Sequence, residues 1–168
     1  MNTIRVLVFG ATGAGKTSVC NVLTGHNRPT SNGPLGQTSK THRYPGFNSH
    51  DVRIEIIDTV GLHESDLGTV PADKAIIQLV ELLENSKDGF NLLIHVVRAS
   101  RITQEQEEDY QFFFERMTQR KIPIILVIAG CENESPMYGW IQRNGKHFQR
   151  FAYLPESVFI CHRSSVVR

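Results

Sequence analysis

Residues 10 to 18 read Gly10-Ala11-Thr12-Gly13-Ala14-Gly15-Lys16-Thr17-Ser18, and this stretch decides the fold. Before it stands Ile4-Arg5-Val6-Leu7-Val8-Phe9, a short β-branched run ending at glycine, the pattern of a buried strand. After it, Lys16 to Thr24 suits a short helix that Gly25 stops. Strand, glycine-rich turn and helix together match G-x-x-x-x-G-K-[ST], a loop whose backbone N–H groups converge on phosphate oxygens. Gly10, Gly13 and Gly15 permit the curl, and the positive end of the helix dipole strengthens the attraction. Lys16 supplies a point charge for the β- and γ-phosphates, and Thr17 a hydroxyl for Mg²⁺. The competing reading is a glycine-rich turn with a chance GKT, which the strand before it and the helix after it oppose. The loop names a ligand class and leaves the function open.

Working outward, residues 26 to 50 are rich in Pro, Gly, Asn, Ser and Thr without a period and read as a long loop, a type that is often functional. Val52 to Asp58 alternates and then turns wholly apolar, a strand delivering an aspartate at its tip. A second irregular stretch leads to Pro71, which fits the first turn of a helix running to about Ser86. Phe90 to Val97 and Ile122 to Ala129 read as strands, and Ser157 to Cys161 as a last short one. Thr103 to Arg120 reads as an amphipathic helix with Thr103 and Gln106 spaced as a capping box. Gly139 to Phe151 is a further helix candidate interrupted by Gly145. Strands alternating with helices predict a single α/β domain over residues 1–168, a three-layer, mostly parallel sheet with helices on both faces. The final helix that this alternation calls for is absent.

Composition agrees with a globular domain: 168 residues, 40% hydrophobic and 21% charged. A net charge of +1 gives no basis for a nucleic-acid footprint. Cys20, Cys131 and Cys161 are far apart, which argues against disulfides or a zinc site and fits a reducing, cytoplasmic setting. The seven histidines include no helical i, i+4 pair, so protein side chains alone are assigned no metal. No apolar run approaches the ~18 residues of a membrane span, and neither a signal peptide nor a lipidation motif is legible.

Asp58-Thr59-Val60-Gly61 fits D-x-x-G, placed at a strand tip that parallel topology brings beside the phosphate loop. An aspartate there holds Mg²⁺, often through water, and the glycine N–H senses the γ-phosphate. With these residues the chain resembles a GTPase of the translation-factor-related class. Within it, the chain is similar to the septin-like branch of immunity-associated (GIMAP) and chloroplast-import (Toc) GTPases. GATGAGKTS, the run Ile56 to Leu62, and Arg101-Ile102-Thr103-Gln104-Glu105 carry the resemblance, the last being similar to that branch's own box.

The resemblance implies a P-loop G domain binding GTP or GDP with Mg²⁺. The nucleotide contacts would be Gly10, Thr12, Gly13, Ala14, Gly15, Lys16, Thr17 and Ser18, with Glu132 at the base. Metal contacts would be Thr17, Asp58 and a first-switch threonine, Thr38, with Thr41 and Thr30 as rivals. Catalysis would rest on Lys16, Thr38, Gly61, His63 and Arg101, and residues 61 to 70 would form the second switch. Two departures matter. Leu62 stands where many GTPases place a water-orienting glutamine, so intrinsic hydrolysis should be slow, and Thr12 stands where many switches keep glycine. By the resemblance, Arg101 would act on a partner's nucleotide when two G domains meet face to face in a homodimer. In place of [NT]-K-x-D the chain has Ala129-Gly130-Cys131-Glu132, which loses the lysine stem that covers the base. The last base-contacting loop would fall at His162-Arg163-Ser164. The helix run Tyr110 to Phe114 carries three adjacent phenylalanines that one α-helical face cannot all bury. Three functions stay open: a slow, dimer-stimulated GTPase switch; a nucleotide-loaded assembly module that scarcely hydrolyses; and an ATP-using P-loop enzyme. Leu62, Thr12 and the altered base motif favour the second, while D-x-x-G and the lack of an arginine-rich lid oppose the third.

Overall fold

The computed structural model describes residues 2–29, 41–61, 77, 80–81, 83–84, 88–100, 102–153, 158–162 and 165–167, the last two stretches as backbone only. The elements run β1 (Asn2–Phe9), α1 (Lys16–Thr24), β2 (His42–Arg43), β3 (Phe47–Ser49), β4 (Val52–Asp58) and β5 (Leu92–Arg98). They continue with α2 (Gln104–Tyr110), a π-helix (Gln111–Met117), β6 (Ile124–Ala129), α3 (Gly139–Phe148), β7 (Val158–His162) and β8 (Ser165–Val167). Residues 77, 80, 81, 83 and 84 are helical, as the reading of Pro71 to Ser86 expects, while its start lies outside the described residues.

The strands form one sheet in the order β2-β4-β1-β5-β6-β7-β8, with β3 also paired to β4. β1 runs parallel to β4 and β5, and β5, β6 and β7 continue in parallel. β2 and β3 are antiparallel additions to β4, and β8 to β7. The chain places β4 on one side of β1 and β5 on the other. The phosphate loop therefore leaves β1 where the winding reverses, the usual position of a ligand crevice.

Alternation along the strands splits the core into two layers. Val6, Val8, Ile56, Ile94, Val96 and Val127 face α1, where Val19 and Cys20 are fully buried. Leu7, Phe9, Ile57, Leu93 and Ile124 face α2 and the π-helix, against Tyr110, Phe113 and Phe114. Leu126 and Ile128 meet Trp140 and Phe148 of α3. The expected mostly parallel sheet with helices on both faces is thus the observed fold.

Three elements differ from expectation. The loop over residues 26 to 50 contains β2 and β3, and a hairpin joins β3 to β4 through His50 and Asp51 at φ 47° and 64°. Positive φ at both central residues is the signature of a tight hairpin turn, normally written Asn-Gly; His-Asp hid it. The helix expected through Arg120 changes at Gln111 to π winding. Fewer degrees per residue keep consecutive side chains within one arc. Phe113 and Phe114 are therefore both buried and Phe112 is half-buried. Beyond β7, expected as the last strand, the described backbone adds β8, antiparallel to it. Among the described residues no helix is long and apolar enough to cross a membrane.

Candidate functional site

Gly10, Gly13 and Gly15 adopt φ 146°, 74° and 102°, so the loop curls as the glycine spacing predicts. Gly10 is also fixed by its neighbour: a Cβ there would lie 2.2 Å from the Val96 carbonyl oxygen of β5. The Ala14 N–H donates to the Ala11 carbonyl at 3.1 Å and closes the turn. Lys16 begins α1 and is buried, and its Nζ donates to the Gly10 and Ala11 carbonyls at 2.8 and 3.1 Å. The ammonium is thereby held across the loop's own mouth, over the ring of backbone donors.

Beside it, the Thr17 hydroxyl donates to Asp58 Oδ2 at 2.7 Å. Register pairs Asp58 with Val8, which brings the tip of β4 next to the loop leaving β1. Asp58 is almost wholly buried, and its Oδ1 has no hydrogen-bond partner among the described residues. Burial raises its carboxyl above the ordinary value, against the opposing pull of Lys16 and the Thr17 hydrogen bond. An orphaned carboxylate oxygen next to a threonine hydroxyl is the donor set a hard divalent cation takes. No group of three or more His, Cys, Asp or Glu among the described residues is placed to hold a metal. Further ligands would therefore come from phosphate and water.

Past Asp58, Thr59 is pinned to β1: its N–H and hydroxyl both donate to the Val8 carbonyl, at 3.1 and 3.0 Å. That anchor delivers Gly61 against Thr12, where a Cβ would meet Thr12 Oγ1 at 2.4 Å and its backbone nitrogen at 2.9 Å. Thr12 Oγ1 is buried with no partner among the described residues. The same holds for the Thr41 hydroxyl, and Thr41 directly precedes His42, which pairs in register with Asp58.

The structure thus gathers Gly10, Thr12, Gly13, Ala14, Gly15, Lys16, Thr17, Ser18, Asp58 and Gly61 at one end of the sheet. Glu132 is exposed in the loop after β6. Cys131 beside it is buried, which pushes its thiol up to about 11 and leaves it unreactive. Thr30, Thr38, Leu62, His63, Arg101, Arg163 and Ser164 lie outside the described residues. Two contributors escaped the sequence reading. One is Thr59, whose anchoring role needs the β1 pairing to be seen. The other is Asn21, whose amide brackets the Arg28 backbone at 2.8 and 3.1 Å and accepts from the Tyr44 hydroxyl at 3.2 Å. Asn21 carries only a weak signal, a polar residue within a helix.

The model of the family described as 50S ribosome-binding GTPase matches residues 5–129. The tRNA modification GTPase MnmE of Buchnera aphidicola subsp. Schizaphis graminum is 37% identical over 62 residues, covering 37% of this chain and 13% of that protein. Among solved structures, Era in complex with MgGDPNP and nucleotides of 16S ribosomal RNA superposes with a TM-score of 0.73 at 18% identity, over 98% of this chain and 52% of that one. Toc33 from Arabidopsis thaliana gives 0.64 at 20%, over 98% and 72%, and the G domain of the T. maritima FeoB iron transporter 0.59 at 20%, over 96% and 89%. At these identities the structures speak to the fold, and the chain spans about half the length of the Era chain.

Proposed function

Because the chain belongs to the 50S ribosome-binding GTPase family, whose model spans residues 5–129, we propose that it is a guanine-nucleotide switch with slow, Mg²⁺-dependent hydrolysis, stimulated when two G domains meet. The observation that carries this reading is the Thr17 hydroxyl on Asp58, with the carboxylate's second oxygen unpartnered among the described residues and Lys16 over the phosphate loop. When bound, Mg²⁺ would supply positive charge against that of the phosphates. Thr17, Asp58 and Thr38 would hold it in this reading, and the buried Thr41 hydroxyl, without a partner among the described residues and beside the Asp58 pairing, favours Thr41 as the rival to Thr38. The loop amides and Lys16 bind the phosphates, Gly61 reports the γ-phosphate, and Glu132 reads the base. Leu62 offers no hydrogen bond to an attacking water, which leaves His63 and a partner's Arg101 as the groups that act on hydrolysis.

The finer placement in the GIMAP and Toc branch draws on GATGAGKTS and the Arg101 to Glu105 box. Dimerization is important for the GTPase activity of the chloroplast translocon components Toc33 and Toc159, neighbours in fold. One observation favours a second reading, an assembly module that binds nucleotide and scarcely hydrolyses it: the Thr12 side chain fills the space against Gly61, where a catalytic group would enter.

Phosphate release from GTP and ATP, measured across protein concentration, separates the readings. Specific activity rising with concentration and falling on Arg101→Ala, by up to about 10³-fold, supports the dimer-stimulated switch. Flat background release with tight GDP binding supports the module. A preference for ATP overturns both.

A further inference from the structure

The structure singles out Arg98, which no motif includes. It ends β5, pairs in register with Ala129 at the end of β6, and is exposed. Its neighbour is Gly130, at φ 79°, where a Cβ would stand 3.2 Å from Arg98 Cγ and 3.5 Å from both Cζ and Nε. The arginine stem therefore lies over the bare backbone of Gly130 and occupies the room a side chain at that position would claim. Among the described residues its guanidinium makes no ion pair or hydrogen bond, although acidic Glu132 and Glu134 follow in the same loop.

Topology says what this face meets. Thr17 and Asp58 set the metal end of a bound triphosphate toward β4, on one side of β1. The nucleoside end must then extend toward β5 and β6, on the other side. Gly15 confirms how close that flank is, since a Cβ on it would touch the Ala129 Cβ at 3.0 Å. A planar cation at the carboxyl ends of β5 and β6 stands at the edge of an open α/β sheet where ligands are bound.

We propose that Arg98 covers one face of the nucleotide's purine ring, its guanidinium stacking on the π-system while its stem packs on Gly130. The inference rests on the guanine-nucleotide reading above and adds a base-recognition residue to it. Titration of GDP and of inorganic triphosphate into the wild-type chain, Arg98→Ala, Arg98→Met and Arg98→Lys tests it, with circular dichroism melting as the folding control. Arg98→Ala and Arg98→Met weaken GDP binding about 5- to 30-fold and leave triphosphate binding within about twofold. Arg98→Lys, which keeps charge without the plane, falls between. Methionine binding GDP as well as wild type would reduce Arg98 to a space filler and overturn the proposal. Equal losses for GDP and triphosphate would place the guanidinium on the phosphates and overturn it too. A wild-type chain that binds triphosphate and not GDP would instead sink the nucleotide reading itself.

Discussion

Gly10 and Gly61 both lack room for a methyl group, but their walls differ. At Gly10 the wall is the Val96 carbonyl of β5, 2.2 Å from the missing Cβ, and φ of 146° adds strain for any side chain. A carbonyl inside a central strand cannot step aside. Gly10→Ala should therefore destabilise the fold by about 3 kcal/mol and abolish phosphate binding, read by urea unfolding and GDP titration. At Gly61 the nearest atom is the Thr12 hydroxyl, the end of a side chain. Gly61→Ala should cost less stability than Gly10→Ala and recover in part when combined with Thr12→Gly; equal losses would show that the wall at Gly61 is the Thr12 backbone. Asp58 presents the opposite trade. Its buried carboxyl binds a proton more tightly folded than unfolded, so the nucleotide-free protein gains stability as pH falls through that raised value. At neutral pH the charge opposes folding. Asp58→Asn should thus stabilise the nucleotide-free protein at neutral pH while removing the Mg²⁺ dependence of GDP binding. Loss of stability would mean the carboxylate is not strained by burial.

The layer beneath α2 and the π-helix holds another buried ionisable group. His95 of β5 is fully buried, stacks on Phe9 at 4.7 Å between centroids, and shares a hydrogen bond with the Tyr153 hydroxyl through Nδ1 at 2.7 Å. Burial, and secondarily Lys16, lowers its pKa to about 3. The folded imidazole stays neutral where the unfolded one, near 6.5, takes a proton. Stability is therefore undiminished above pH 6.5 and is lost as pH falls from there toward 3, by about 1.4 kcal/mol per pH unit. His95→Leu should be less stable at pH 7, because Tyr153 loses its partner, yet show a flatter decline between pH 6 and 4. Parallel pH profiles for the two proteins would place the acid sensitivity elsewhere. The helix above His95 explains why this layer was only half readable. The capping box of Thr103 and Gln106 forms as its spacing predicts, with the Thr103 N–H donating to Gln106 Oε1 at 3.3 Å. The widening at Gln111 has no period of its own, and only the adjacent phenylalanines signal it.

Across the whole molecule, what could be read in advance is what repeats or is chemically singular. β1, α1 and β4 carry periods long enough to bound, and the fixed positions of the two motifs, Gly10, Gly15, Lys16, Thr17, Asp58 and Gly61, are chemically specific. Two- and three-residue strands such as β2 and β3 are too short to show a period, and β4's open edge, not their own sequence, decides their pairing. Likewise Arg98 and Thr59 are ordinary residues until strand register sets them beside Gly130 and Val8. The two sheet faces differ in a way no local pattern records. The α2 side is filled by aromatic rings, whereas on the α1 side a cleft of about 290 Å³ lies among apolar side chains, including Val19, Leu23, Phe47, Ile94 and Val127. Val127 is almost wholly buried at its wall. Val127→Ile adds one methylene into that space, and burying it should raise stability by about 1 kcal/mol. GDP affinity should stay within about twofold, since Val127 belongs to the layer under α1 rather than to the crest that carries Lys16 and Asp58. A lower melting temperature in the isoleucine variant would mean that the cleft closes in solution, and that the α1 face is packed as tightly as the other.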